Sequence, residues 1–223
     1  MVDPLEAVRA LSTLGDPTRR SAYDYVSAQG RPVGRDEVAA ALGVGRTLAA
    51  YHLDRLAKEG LLSAAYARRS GRTGPGAGRP AKLYERSERE LAVNLPPRDY
   101  GLAARLLAHA AAQDEDGGTR RALRGAAEAL GREIAATAPD PPDLERLLRE
   151  RGYEPYEDGA GVLRLRNCPF HAVAQSHPEV VCDMNLSLLG SILTGLDADV
   201  QAVLEPGPGR CCVAIKPMRE AED

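Results

Sequence analysis

The residues best equipped for chemistry are four cysteines, Cys168, Cys182, Cys211 and Cys212, all within the last 56 positions of a 223-residue chain. Cys168 belongs to the run Asn167-Cys168-Pro169-Phe170-His171. The spacing Cys168-x-x-His171 sets a thiol and an imidazole where a short turn after a strand can aim both at one ion. Cys182 would join them from the start of a following helix, and Cys211 or Cys212 from a closing hairpin. Zinc takes four such sulfur and nitrogen donors, with thiolates at about 2.3 Å. The predicted ligands are therefore Cys168, His171, Cys182, Cys211 and Cys212, with His177 in reserve. Two other fates compete. The cysteines could form a thiol redox switch, although neighbours such as Cys211 and Cys212 bridge only with strain, or they could be small buried hydrophobes.

A second constellation is basic. Residues 68–82, RRSGRTGPGAGRPAK, carry Arg68, Arg69, Arg72, Arg79 and Lys82, no acid, four glycines and two prolines. Such a loop builds no core, but it suits tracking phosphates or entering a minor groove. Just before it, residues 46–59 read as a helix between the turn Gly43-Val44-Gly45 and Gly60. At about 100° per residue, Leu48, Ala49, His52, Leu53 and Leu56 fall on one face of this helix. Thr47, Ala50, Tyr51, Asp54 and Lys58 fall on the other, with Arg46 at the N-terminal edge. Arg46, Thr47, Ala50 and Tyr51 are the candidates for base contacts, since Arg forks to guanine, Thr donates or accepts, and Ala meets a thymine methyl. Arg55 and Lys58 suit phosphates, which set register.

The elements that must position these residues follow from periodicity. Helices are expected at 4–14, 17–29, 35–42 and 46–59, then strands at 61–67 and 83–87 flanking the basic loop. Asp16-Pro17 supplies a cap and a first helical residue for the second helix. Helix, helix, helix, strand, basic loop, strand is the order of a winged helix-turn-helix. Beyond the breaker Asn94-Leu95-Pro96-Pro97, helices are expected at 98–113, 119–137 and 143–151, a hairpin at 153–166, a helix at 179–195 and closing strands at 200–204 and 212–215.

The net charge of −3 conceals a division, with 15 Lys/Arg against 11 Asp/Glu over residues 1–90 and 14 against 21 over the remainder. A basic reading head on an acidic body is expected, with double-stranded DNA as partner. No run approaches the ~18 apolar residues of a membrane span. The opening MVDPLEAVRA lacks the basic flank and apolar core of a signal peptide, so a cytoplasmic protein is expected.

The runs LGDPTRRSAYDYV, ALGVGRT and YHLDRLAKEGLL resemble the ArsR-type winged-helix regulators. Their H-L-x-x-L-x-x-x-G-L pattern is matched by His52, Leu53, Leu56, Gly60 and Leu61. The resemblance covers residues 4–90 and implies a homodimeric transcriptional repressor or activator, with His52 as a packing residue. The recognition-helix cysteine pair of the family's arsenic and cadmium sensors is absent. The later segment is similar to the C-terminal half of SufR-like regulators, whose cysteines hold an iron–sulfur cluster. What matches is the C-P pair, the downstream V-C and a last cysteine near the end; what departs is His171 where such proteins place further cysteine. Zinc, an iron–sulfur cluster and redox thiols all stay open.

The expected fold is α+β: a winged helix-turn-helix over residues 1–95, a helical linker and dimerisation region over 96–138, and a small cysteine-containing α+β sensor domain over 139–223. The Ala- and Leu-rich helix at 98–113 is the expected dimer contact, since two recognition helices must stand about 34 Å apart. The expected function is a DNA-binding repressor, dimeric on a palindromic operator, with a metal or cluster centre. An organic effector in an apolar pocket is the alternative signal. A thiol enzyme is disfavoured: Cys168 with His171 or His177 lacks an orienting acid, and GRTGPGAGRP lacks the G-K-[ST] ending of a phosphate loop.

Overall fold

The computed structural model describes residues 4–67, 80–94, 98–207 and 209–218. The protein is α+β with two small antiparallel sheets, and the chain divides into two compact units, Met1–Arg98 and Asp99–Asp223. The helices expected at 98–113 and 119–137 fall within the second unit.

The first unit runs α1 (Pro4–Thr13), α2 (Pro17–Gln29), β1 (Val33–Gly34), α3 (Arg35–Leu42), α4 (Arg46–Lys58), β2 (Leu62–Ala67) and β3 (Ala81–Arg86). Asp16 caps α2 by accepting the Arg19 N–H at 2.8 Å, with Pro17 at the first helical position. The turn from α3 to α4 needs Gly43, which sits at φ +66° where a side chain is strained. The strands lie in the order β1-β3-β2, with Val33 opposite Tyr84 and Leu62 opposite Arg86. Ala22, Val26, Val33, Val38, Leu53, Leu56, Leu62 and Tyr84 share the core beneath the helices.

One apolar assignment is corrected. Leu48, expected on the inward face of α4, is 45% exposed. Ala49, His52, Leu53 and Leu56 centre the buried stripe, and Leu48 stands about a quarter-turn from that centre. In α1 the larger residues Leu5, Val8 and Leu11 are exposed, while Ala7 and Ala10 are buried. The small side of α1 enters the core because it allows a closer approach.

The second unit runs α5 (Tyr100–Gln113), α6 (Gly118–Ala136), α7 (Leu144–Glu150), β4 (Pro155–Glu157), β5 (Leu163–Leu165), α8 (His171–Ala174), α9 (Pro178–Gly195), β6 (Val200–Leu204) and β7 (Val213–Pro217). Its sheet is ordered β4-β5-β7-β6, so the final hairpin inserts β7 beside β5. Leu148, Leu165, Leu189, Ile192, Leu193 and Ile215 form the core between α9 and the sheet. The long helices α6 and α9 pack closely through small residues: a Cβ placed on Gly195 would stand 2.6 Å from Ala135 Cβ. The one-turn helix α8 follows directly on Cys168-Pro169-Phe170 and had no periodicity to announce it. Helix α5 turns Ala108 and Ala111 towards Val180 and leaves Leu102, Leu106 and Leu107 exposed.

Candidate functional site

On α4 the buried stripe sets the opposite face outward. Arg46, Thr47, Tyr51, Asp54 and Lys58 are exposed, and Ala50 and Arg55 are half-buried. Most charges on this face are partnered. Arg46 Nε lies 2.6 Å from Asp36 on α3, Arg55 reaches Glu59 at 3.1 Å, and Lys82 on β3 reaches Asp54 at 2.5 Å. The Tyr84 hydroxyl also donates to Asp54, at 2.7 Å, so one carboxylate ties α4 to the sheet. Burial works to raise the Asp54 carboxyl; the hydrogen bonds from Lys82 and Tyr84 outweigh it and hold the group below the usual carboxylate range. Lys58 has no ion-pair partner among the described residues. Exposed pairs such as Arg46–Asp36 are worth at most about 1 kcal/mol, so a phosphate or a base edge can displace the acid.

Of the basic loop, Lys82 is described, half-buried on β3, while Arg68, Arg69, Arg72 and Arg79 lie outside the described residues. The strands that flank the loop pair throughout, from Leu62↔Arg86 to Ala67↔Ala81.

The second unit draws its cysteines together. Cys182, in the first turns of α9, is disulfide-bonded to Cys212 across a separation of 30 residues. Cys168 and Cys211 are free thiols, half-buried and buried. They are near enough to act on each other's titration, in opposite directions. Backbone bonds hold Cys211 and Cys212 at the sheet. The Cys211 N–H donates to Leu165 O at 2.8 Å, and the Glu205 N–H donates to Cys212 O at 2.7 Å. Glu205 is itself held by Arg164, a β5 side chain only one-tenth exposed that also reaches Asp158 at 2.9 Å.

Asn185 donates to the Cys211 sulfur, and the neighbouring Cys168 thiol, the largest influence, acts with it and with the N–H groups of Val213 and Cys212 to favour the thiolate. Against burial, they bring Cys211 down to about 7. Cys168 moves the other way, pushed up by the neighbouring Cys211 and by burial. Asn185 Nδ2 stands 3.4 Å from Cys211 Sγ, and Asn185 Oδ1 accepts the Tyr153 hydroxyl at 2.5 Å. Burial raises the Tyr153 phenol far above its ordinary value, so it is a hydroxyl donor throughout the accessible range. Sequence reasoning missed both residues. The available signal was a lone amide three places after Cys182, set inside the apolar stripe of α9.

His171 is exposed, with its ring Nε2 3.0 Å from the Gln175 amide one turn along α8. His177 faces His109 on α5, with ring nitrogens 3.5 Å apart. With Cys182 and Cys212 joined, the described residues contain no group of three His, Cys, Asp or Glu side chains arranged to hold a metal ion. A cleft of about 350 Å³ at the α5–α6 turn is lined by Glu115, Asp116, Arg120, Arg121, Arg124 and Asp183, a charged wall and not the apolar one an organic effector favours. Among the described residues no helix is long and apolar enough to cross a membrane.

No family model, curated protein or solved structure matches this chain.

Proposed function

We propose that the chain is a DNA-binding transcriptional regulator, a homodimeric repressor of the ArsR-like winged helix-turn-helix kind. The observation that carries this reading is the division of α4: Ala49, His52, Leu53 and Leu56 inward, and Arg46, Thr47, Tyr51 and Lys58 outward. The paired strands β2 and β3 follow at once, joined in sequence by the basic, glycine-rich segment of a wing. In this reading α4 enters the major groove by its N-terminal end, and the wing meets phosphates or the minor groove. Two copies join through exposed apolar side chains such as Leu102, Leu106 and Leu107 of α5, whose burial would favour association. No catalytic role is assigned.

The test is selection of random duplex DNA by the purified full chain, followed by anisotropy titration across a salt series. A palindromic consensus, and affinity that falls linearly in log–log with salt, is the expected result. Equal weak binding to every duplex would overturn the reading.

In this proposal the second unit houses a four-sulfur centre of Cys168, Cys182, Cys211 and Cys212. Reduction of the Cys182–Cys212 bond, by two electrons and two protons from a dithiol reductant, frees two thiols, which with Cys168 and Cys211 make four on three segments. Four thiolates are a donor set suited to zinc or to an iron–sulfur cluster. The N–H groups directed at Cys211 are of the kind that orients and tunes such ligands. A cluster would supply redox chemistry and zinc would supply a structural tie. The chain's own residues gather the sulfurs, bury Cys211 and direct hydrogen bonds at it. His171, turned to Gln175, has no part in this set. Elemental analysis with a visible spectrum, on anaerobically purified protein, separates a coloured iron- and sulfide-containing centre from one zinc per chain.

The disulfide favours a second reading, in which the same sulfurs are a thiol redox switch without metal. Protein that carries neither iron nor zinc, but whose DNA affinity changes on reduction, would support it.

A further inference from the structure

The outward face of α4 carries one acid among its cations, and an acid that faces DNA meets repulsion from phosphates on either side. Thr47 and Asp54 are two turns apart and within about 20° of one line along the helix, with Ala50 and Tyr51 between them. Asp54 therefore continues the row expected to meet base edges, and its side chain is 54% exposed. Its two oxygens differ. Oδ1 accepts both bonds from β3, from Lys82 Nζ at 2.5 Å and from the Tyr84 hydroxyl at 2.7 Å. Oδ2 accepts no hydrogen bond among the described residues. Tyr84 is 2% exposed, so its hydroxyl is a fixed point, and Lys82 Nζ lies 5.3 Å from the centre of its ring. One oxygen is thus tied to the sheet and the other is left with its acceptor capacity unused. The Lys82 ammonium offsets the charge of the carboxylate, which reduces the repulsion an unpaired acid would meet in the groove. The same bonds keep the group ionised, below the usual carboxylate range.

We propose that Asp54 is a base-reading residue, its Oδ2 accepting a hydrogen bond from the exocyclic amino group of a cytosine in the major groove. This rests on the reading of α4 as the recognition helix. Cytosine is the base that the chemistry selects. Its major-groove edge offers an amino donor and no acceptor, whereas guanine offers two acceptors and thymine one, all repelled by a carboxylate. Adenine has an amino donor too, but sets the N7 acceptor beside it. Lys82 and Tyr84 are positioning residues: they hold the carboxylate in one orientation, so little side-chain freedom is lost when the base is met.

The test is selection of random duplex DNA by the full chain and by variants of it, with anisotropy titration on the duplexes recovered. Wild type is expected to select a C·G pair at one position of each half-site, and exchange of that pair is expected to weaken binding by about 5–150-fold. Asp54→Asn, nearly equal in size, is expected to replace that cytosine with adenine, because an amide accepts from N6 and donates to N7. Asp54→Ala is expected to tolerate all four bases there. Tyr84→Phe keeps the carboxylate but loosens its hold, so cytosine stays preferred with a smaller penalty for the other bases. A carboxylate that only fastens α4 to β3 would act otherwise: affinity would fall equally on every duplex and the consensus would stand. Asp54→Asn with the wild-type consensus at every position would therefore overturn the proposal, whatever its melting temperature, as would a wild-type consensus without a C·G pair. If one Asp54 variant does not fold, the other decides. Wild-type protein that selects no consensus would overturn the DNA-binding reading and this inference together; a consensus that the Asp54 variants leave unchanged overturns this inference alone.

Discussion

Gly131 on α6 lies so close to Ser191 on α9 that a Cβ built on it would stand 2.6 Å from Ser191 Cβ and 2.7 Å from the Leu188 carbonyl oxygen. Two helices meet there backbone to backbone, and the obstructing Leu188 oxygen cannot rotate away. Gly131→Ala should therefore lower stability by about 1–3 kcal/mol through overpacking, more than the ~1 kcal/mol that alanine gains as a helix former. Gly125, in the same helix, has nothing within 4 Å of its would-be Cβ. Gly125→Ala should raise stability by up to about 1 kcal/mol. Urea unfolding of the two variants, with opposite signs expected, checks the α6–α9 contact.

The Asp54 carboxylate should give the first unit an acid-sensitive fastening. Its folded pKa lies below the unfolded value of 3.8, so its contribution is complete above that value and disappears as pH falls through the folded pKa. Asp54→Asn should lower the melting temperature near pH 7, with a loss of no more than about 1 kcal/mol for so exposed a pair. Melting curves of variant and wild type should converge only as pH falls below 3.8 and through the folded pKa; a gap that stays constant with pH would assign the loss to packing.

Arg46 and Lys58 should fail in different ways. Lys58→Ala should weaken binding to all duplexes alike and reduce the salt slope by about 1, the signature of one lost phosphate contact. Arg46→Ala should cost about 1–3 kcal/mol on the preferred operator and relax base preference at one position. The same salt titrations on preferred and scrambled duplexes separate the two outcomes.

The Cys182–Cys212 bond closes a long loop across 30 residues, from α9 to the residue before β7. Reductant should lower the stability of wild-type protein by about 2–4 kcal/mol, mostly by releasing the unfolded chain. Cys182→Ser should already sit at the lower value and show no response to reductant, as read by calorimetry with and without phosphine.

How much of this was legible in the amino-acid order depends on range. Elements written by local periodicity are present nearly where expected: α2 between Asp16 and Gly30, α4 between Gly45 and Glu59, β6 at Val200–Leu204. Caps, breakers and helical stripes are decided by neighbours a few positions away, so one chain segment contains the answer. The division of α4 into an inward and an outward face was legible for the same reason, except at Leu48 on the stripe's edge. Short elements were not: β1 is two residues long and α8 four, too brief to display a period.

The amino-acid order alone determined that chemistry would concentrate at two places, a basic segment at residues 68–82 and four late cysteines, because residue type and spacing need no fold to be read. It left open which sulfur meets which. Only the tertiary structure decided that Cys182 joins Cys212, that Cys168 lies near Cys211, that His171 turns to Gln175, and that Tyr153 and Asn185 stand behind the sulfurs. These partners lie 30 to 43 residues apart in the cysteine pairs, and 32 and 26 in the buried relay. Their meeting is set by how α9 packs on α6 and how β7 inserts beside β5, and such packing is a property of the whole core and of no single segment.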